Sequence, residues 1–486
     1  MIFLLWLLAA SSGEPGEWTH RWSAWTPPGG SSMRLDVIPP RRPAALRIRA
    51  SQAPGLGYWR SVAGGIEPGR EYLFRAPYRS TGVRGEHHRV FAVLSWCADA
   101  QGRRPLQRDY ARREPDGAGG FHLQRRLTAP AGTASLRIEL GLRGAGGGTV
   151  LFFEPRLESR GSGATMTVRV AVGHGHPDPA ASAEGRLAEL GAWLDRAGSA
   201  RADLIVLPET IFDYNVSGAL IPRTRELAAP AQRLLAEKSR QHRAYIVAGG
   251  RDVEGGALYN VAWLYDRQGR LAGRYRKVHL PLSEMEAGVA AGTEYPVFAT
   301  DFGSLGLLIC WDLWFPEAAR ILRLRGAQLL AAPLAGDVSP RHWDIIPRAR
   351  AIDNAIPLAA AAAESGTASR IVDANGELLA EAAVPGALAV ADVPLESADR
   401  LRWLSVGDAL GDPASLFVEE RRPETYGALA ADPARLRPNG TKPPSSVNSL
   451  PSPRPKAGER PAGSAIPAVP PPRTPRTPPP PTAPPR

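Results

Sequence analysis

The chain has 486 residues, a formal charge of +11 and an apolar fraction of 43%. That length suits two or three domains with cores of their own, and the composition excludes a wholly disordered protein. Its two cysteines, Cys97 and Cys310, exclude a disulfide-built scaffold.

Residues 1–10, MIFLLWLLAA, are an apolar block followed by Ser11-Ser12-Gly13. The block is too short to span a bilayer as a helix. It resembles the apolar core and cleavage zone of a secretory signal, although the positive leading region is missing. Residues 1–16 are therefore read as a signal peptide of a secreted or periplasmic protein. A buried N-terminal segment of a cytoplasmic protein is the alternative.

Residues 17–158 alternate apolar and polar positions in short stretches between Gly/Pro turns: Ala45 to Ala50, Glu71 to Ala76, Val90 to Trp96, Ser135 to Leu142 and Thr149 to Leu157. This pattern predicts an all-β sandwich of the jelly-roll type. The run Glu67-Pro68-Gly69-Arg70-Glu71-Tyr72, with Thr128-Ala129-Pro130 later, resembles carbohydrate-binding modules of that fold. Trp22, Trp25, Tyr58, Trp59, Tyr78 and Trp96 are candidates for an aromatic platform that stacks on sugar rings; the competing reading makes most of them core. Cys97 reads as a packing thiol.

Gly161-Ser162-Gly163 is a short linker, and nothing in it suggests a core shared across it. From Thr165 to Val172 onward, strand and helix patterns alternate: a helix with Leu187, Leu190 and Leu194, the run DLIVLPE ending at Glu209, a helix around Arg223 to Arg240, and a hairpin turning at Asp266 to Gly269. This argues a layered α/β domain over residues 164–430. Each half is large enough to bury its own core.

The stretch Leu305 to Pro333 centres that domain. Leu305 to Ile309 suits a strand buried on both faces, and Pro316-Glu317 suits the first turn of a helix stopped by Gly326. Cys310 thus sits where a strand feeds a helix, a place where open α/β sheets bind ligands. Backbone N–H groups and a helix N-terminus there would lower the thiol pKa. A buried packing cysteine is the bland alternative. Glu209 ends an apolar strand run, and Lys277 in YRKVHLP edges another, where an unpaired charge is costly.

These three stretches resemble the motifs of the carbon–nitrogen hydrolase (nitrilase) superfamily: Glu in a PE dipeptide, Lys in RKxHL, and Cys in CxDxxFPE. The resemblance continues through Glu294 to Gly303, Arg341 to Ala355, Arg370 to Leu379 with its Asn375-Gly376 turn, and Glu419 to Tyr426. It implies a four-layer α-β-β-α sandwich and a homodimer or higher homo-oligomer. It also implies Cys310 as nucleophile, Glu209 as general base, and Lys277 with the Trp311 backbone N–H as oxyanion stabilisers. A supporting carboxylate is expected between Lys and Cys; Glu284 and Glu286 both fit, with a lean to Glu284. The run Cys310-Trp311-Asp312 followed by Phe315-Pro316-Glu317 looks like amidases and carbamoylases more than true nitrilases.

Residues 441–486 hold 17 prolines and supply +6 of the net charge, which reads as a disordered basic tail. The rest is only mildly basic, and no phosphate-cradling loop or basic–aromatic helix points to nucleic acid. No cofactor and no metal are expected, since no His/Cys cluster has ligand spacing. The expected partner is a small-molecule amide or N-carbamoyl compound, with a glycan through the N-terminal domain. An N-acyltransferase of the same superfamily and a non-catalytic glycan-binding protein are the alternatives.

Overall fold

The computed structural model describes residues 22–431, apart from 29–31, 39–44, 52–53, 118, 163–165, 215–217, 337–338, 365, 396–400 and 408. The expected signal segment and the Pro-rich tail lie outside the described residues. One unit runs to Thr425; of the second, from Tyr426, only residues up to 431 are described.

Two sheets stack at the centre of the C-terminal half. One is ordered Leu271–Arg276, Ala257–Tyr265, Tyr245–Glu254, Leu204–Leu207, Thr167–Gly173, Leu388–Pro394; its three strands from Tyr245–Glu254 to Thr167–Gly173 are parallel. The other is ordered Val297–Thr300, Gly303–Leu307, Leu329–Leu334, Leu358–Ala362, Ser369–Val372, Leu378–Ala382. The apolar runs are continuous because each strand is covered on both faces. Val170, Val172, Leu204, Val206 and Val247 point into the core between the sheets. Their neighbours Ala171, Ile205, Leu207, Ile246 and Ala248 point the other way, onto the helices Ala183–Ser199 and Leu220–His242. The helices Pro316–Leu324 and Pro340–Asn354 cover the second sheet, with Ala318, Leu322 and Ala351 buried against it. The result is the expected α-β-β-α layering. The parallel strands of both sheets end at the same rim, and there the loops carry Glu209 and Cys310.

The N-terminal half is a β-sandwich. Leu46, Ile48, Trp59, Tyr72, Phe74, Leu94, Trp96, Ile138 and Phe152 fill the space between its sheets. Of the six candidate platform aromatics, Trp59, Tyr78 and Trp96 are therefore interior side chains. Trp22, Trp25 and Tyr58 are half-buried, and Trp25 stacks on Tyr58 with ring centroids 4.4 Å apart. Cys97 is buried and points at the Ser95 carbonyl.

One boundary differs from the sequence reading. Residues 401–411 were assigned to the hydrolase half, yet they complete a sandwich sheet. The hairpin Leu401–Trp403 and Ala409–Gly411 extends the edge strand Pro105–Tyr110, with Leu410 paired in parallel to Gln107. The helix Pro413–Glu419 follows. Asp412 pairs with Arg125, its N–H donates to Asp109 (3.0 Å), and Arg143 donates to the Glu419 carbonyl. Val406, Ala409 and Leu416 form a small apolar cluster with Tyr110 and Phe417. On the other side, Arg323 of the helix Pro316–Leu324 donates to the Ala414 carbonyl (3.2 Å). The short linker is thus not the sole connection between the halves. Three-residue strands carry too little periodicity to be read from sequence.

Candidate active site

Glu209, Lys277 and Cys310 meet at the rim where the parallel strands end. Glu209 follows the strand Leu204–Leu207 through Pro208 and is 2% exposed. Its backbone crosses Gly249 so closely that a Cβ there would lie 2.4 Å from the Glu209 Cα. Glycine is required at that crossing for steric reasons alone. Lys277 follows the strand Leu271–Arg276 and is 1% exposed, with its N–H on the Asn260 carbonyl (2.9 Å). Cys310 opens a single 3-10 turn, Cys310–Trp314, between a strand and the helix that begins at Pro316. Its φ is +44°, as is unusual for a side chain other than glycine or asparagine. That backbone strain re-aims the thiol off the strand line into the rim.

The ionic contacts are direct. Lys277 Nζ lies 2.8 Å from Glu209 Oε1 and 2.8 Å from Glu284 Oε1. Asn260 Nδ2 donates to the same two oxygens, at 2.7 and 3.0 Å. Glu209 Oε2 accepts from the Ala335 N–H at 2.8 Å, and the Cys310 thiol lies close enough for each group to shift the other's pKa. Glu284 is therefore inside the cluster. Glu286, two residues on in the five-residue helix Leu282–Glu286, is exposed. The Trp311 side chain is 37% exposed.

The electrostatics correct one expectation. Burial, the largest influence, pushes Glu209 up, but the Lys277 ammonium and the bonds from Lys277, Asn260 and Cys310 hold it below the ordinary carboxylate value. Burial alone would lower Lys277, yet the Glu209 and Glu284 carboxylates beside it raise it. The Cys310 thiol is raised, not lowered: burial and the neighbouring Glu209 carboxylate outweigh Lys277 and the Ala335 N–H. The Cys310 thiol at rest is thus neutral, beside the Glu209 carboxylate. Burial also raises Glu284, with Lys277 opposing and Glu209 adding to the rise.

Sequence reasoning missed two residues here. Asn260 is a polar residue inside the apolar strand Ala257–Tyr265, which is its only sequence signal. Asp312 is fully buried. Its Oδ2 accepts from Tyr275 Oη (2.7 Å) and the Ile309 N–H (3.0 Å), and its Oδ1 accepts from the His279 N–H (2.9 Å). Asp312 thereby ties the turn that begins at Cys310 to the segment that carries Lys277. Among the described residues no group of His, Cys, Asp and Glu is arranged to hold a metal ion, and no helix is long and apolar enough to cross a membrane.

Residues 169–402 match the carbon-nitrogen hydrolase family. A probable nitrilase of Schizosaccharomyces pombe is 35% identical over 33% of this chain, which spans only 60% of that relative's length. A deaminated glutathione amidase of Synechocystis sp. is 32% identical over 44% of this chain and 87% of its own length. The crystal structure of an amidase from Nesterenkonia sp. is 26% identical and superposes with a TM-score of 0.45, covering 55% of this chain and 97% of its own.

Proposed function

The chain belongs to the carbon–nitrogen hydrolase family, and from that premise we propose that it hydrolyses a non-peptide amide or N-carbamoyl bond through a Cys310 thioester. The observation that carries the proposal is the buried Glu209–Lys277 ion pair (2.8 Å) at the rim where the Cys310 turn begins.

Because the thiol is neutral at rest, attack needs a base. Glu209 takes the Sγ proton as sulfur bonds to the carbonyl carbon. The oxygen becomes an oxyanion, to which Lys277 Nζ and the Trp311 N–H donate. As the C–N bond breaks, Glu209 passes its proton to the departing nitrogen. Water then replaces the amine. Glu209 removes its proton, hydroxide adds to the thioester carbonyl, and the sulfur leaves and regains a proton. Glu284 and Asn260 keep Lys277 charged and aimed, since a buried ammonium with one carboxylate would be less well neutralised once Glu209 is protonated.

The test is ammonia release from a panel of amides, N-carbamoyl compounds and nitriles, with intact-mass detection of an acyl adduct. Turnover of at least one amide or carbamoyl compound is expected, with the adduct on Cys310 and none in Cys310→Ala. Turnover by Cys310→Ala at the wild-type rate would overturn the mechanism.

A further inference from the structure

Beside this cluster stands a carboxylate that the chemistry above does not use. Glu364 follows the alanine strand Leu358–Ala362, and its N–H donates to the Ala335 carbonyl (2.7 Å). Ala335 is the residue whose own N–H bonds Glu209 and also faces the Cys310 sulfur. Gly336 leaves room for the Glu364 stem, since a Cβ at Gly336 would lie 2.4 Å from the Glu364 Cβ. Glu364 thus lies one backbone step from the nucleophile. Its Oε1 accepts from Tyr214 Oη at 2.5 Å, and the Tyr214 ring packs on His176 with centroids 5.1 Å apart. Ala335 thus bonds Glu209 through its N–H and the Glu364 backbone through its carbonyl, which sets the Tyr214–Glu364 pair beside Glu209.

Among the described residues, no lysine, arginine or histidine forms an ion pair with Glu364, and Tyr214 is its one side-chain partner. The side chain is half-buried rather than on open surface. Lys277 is paired with Glu209 and Glu284, and it makes no ion pair with Glu364. A partly desolvated, unpaired carboxylate repels anions and draws cations, and both effects discriminate between substrates. Holding it with a tyrosine hydroxyl fixes its direction without cancelling its charge.

We infer that Glu364, oriented by Tyr214, is a specificity-determining residue that selects amides carrying an ammonium group a few bonds from the scissile carbonyl. This rests on the reading of the cleft as an amide-hydrolysing site, so binding and turnover are measured separately. Three primary amides of matched length serve as probes: γ-aminobutyramide (cation), valeramide (neutral) and glutaramic acid (anion). Their dissociation constants are measured by calorimetry on Cys310→Ala protein. γ-Aminobutyramide is expected to bind at least about tenfold more tightly than valeramide, and glutaramic acid most weakly, with the spread shrinking as salt is added. Adding Glu364→Gln, which keeps an acceptor for Tyr214, should bring the three within about threefold of one another. Equal binding of the cation and the neutral amide, or an ordering that survives Glu364→Gln, overturns the inference. Wild-type turnover of valeramide without any charge preference would sink the inference and leave the hydrolase reading standing. A charge preference in a protein that turns over none of the three and nothing in the wider panel would do the reverse.

Discussion

Glu209→Gln separates two descriptions of the nucleophile. In one, the thiol is already ionised and the carboxylate merely organises the site. In the other, which the raised thiol pKa supports, the thiol is neutral and Glu209 must take its proton. Gln at 209 accepts from Lys277 and Asn260 through its one carbonyl oxygen, while its amide meets the Ala335 N–H, donor to donor. Lys277 stays neutralised because Glu284 lies 2.8 Å away, so the fold should survive. Catalysis loses its base, a deficit of about a thousandfold in kcat, or roughly 4 kcal/mol of barrier. The thiol moves the other way. Burial still pushes its pKa up, but the Glu209 charge and hydrogen bond that add to the rise are gone. Iodoacetamide alkylation of Cys310, followed against pH, should therefore set in at lower pH in the variant than in the wild type. An enzyme crippled in turnover but with a more readily ionised thiol is the expected outcome. If alkylation moved to higher pH, or kcat fell less than about tenfold, the neutral-thiol mechanism would be wrong.

Glu284→Gln should lower kcat by about tenfold or more through Lys277, while the exposed Glu286→Gln stays near wild type; steady-state ammonia release distinguishes them. Equal effects of the two would refute the assignment. Deleting residues 1–160 takes Tyr110 from the cluster of Val406, Ala409 and Leu416, the Gln107 pairing from Leu410, and Arg125 and Asp109 from Asp412. The fragment is expected to bind a hydrophobic dye and be cleaved by protease within 401–420; a fragment as stable as the full chain would show the docking to be dispensable. Burial raises Glu419 from 4.5 to about 7 despite Arg143, Arg112 and Arg125. A folded pKa above the unfolded one gives stability that is present below pH 4.5 and lost as pH rises through about 7. Thermal unfolding should show that loss, up to about 3 kcal/mol, and Glu419→Gln should flatten it; an unchanged profile in the variant would place the titration elsewhere.

Much of the site was legible because burial on both faces leaves unmistakable apolar runs. The run Leu204 to Leu207 leads through Pro208 to Glu209, and the apolar stretch before Cys310 ends at that thiol, so a charged or reactive residue at the end stands out. The choice between Glu284 and Glu286 was not legible, because a five-residue helix has no periodicity from which to read its inward face. The thiol's ionisation was misjudged for a related reason. A strand-to-helix junction suggests a helix N-terminus, but the junction is a 3-10 turn, and the decisive neighbour, Glu209, lies about a hundred residues away in sequence. Asn260 and Asp312 act through partners on other segments, and a single sequence does not show partners.

The hairpin Leu401–Gly411 reaches its place late. Asp412 bonds Asp109, 303 residues earlier in the chain. Synthesis releases the sandwich first, and domains made first generally fold first. Here the strand Pro105–Tyr110 remains a sheet edge, with open backbone groups, until the last part of the hydrolase half has emerged. The protein must therefore hold an unfinished sheet through most of its own translation. A message truncated before residue 401 would yield more than a shortened hydrolase: in its product the strand Pro105–Tyr110 would never be covered, and two such chains could pair there.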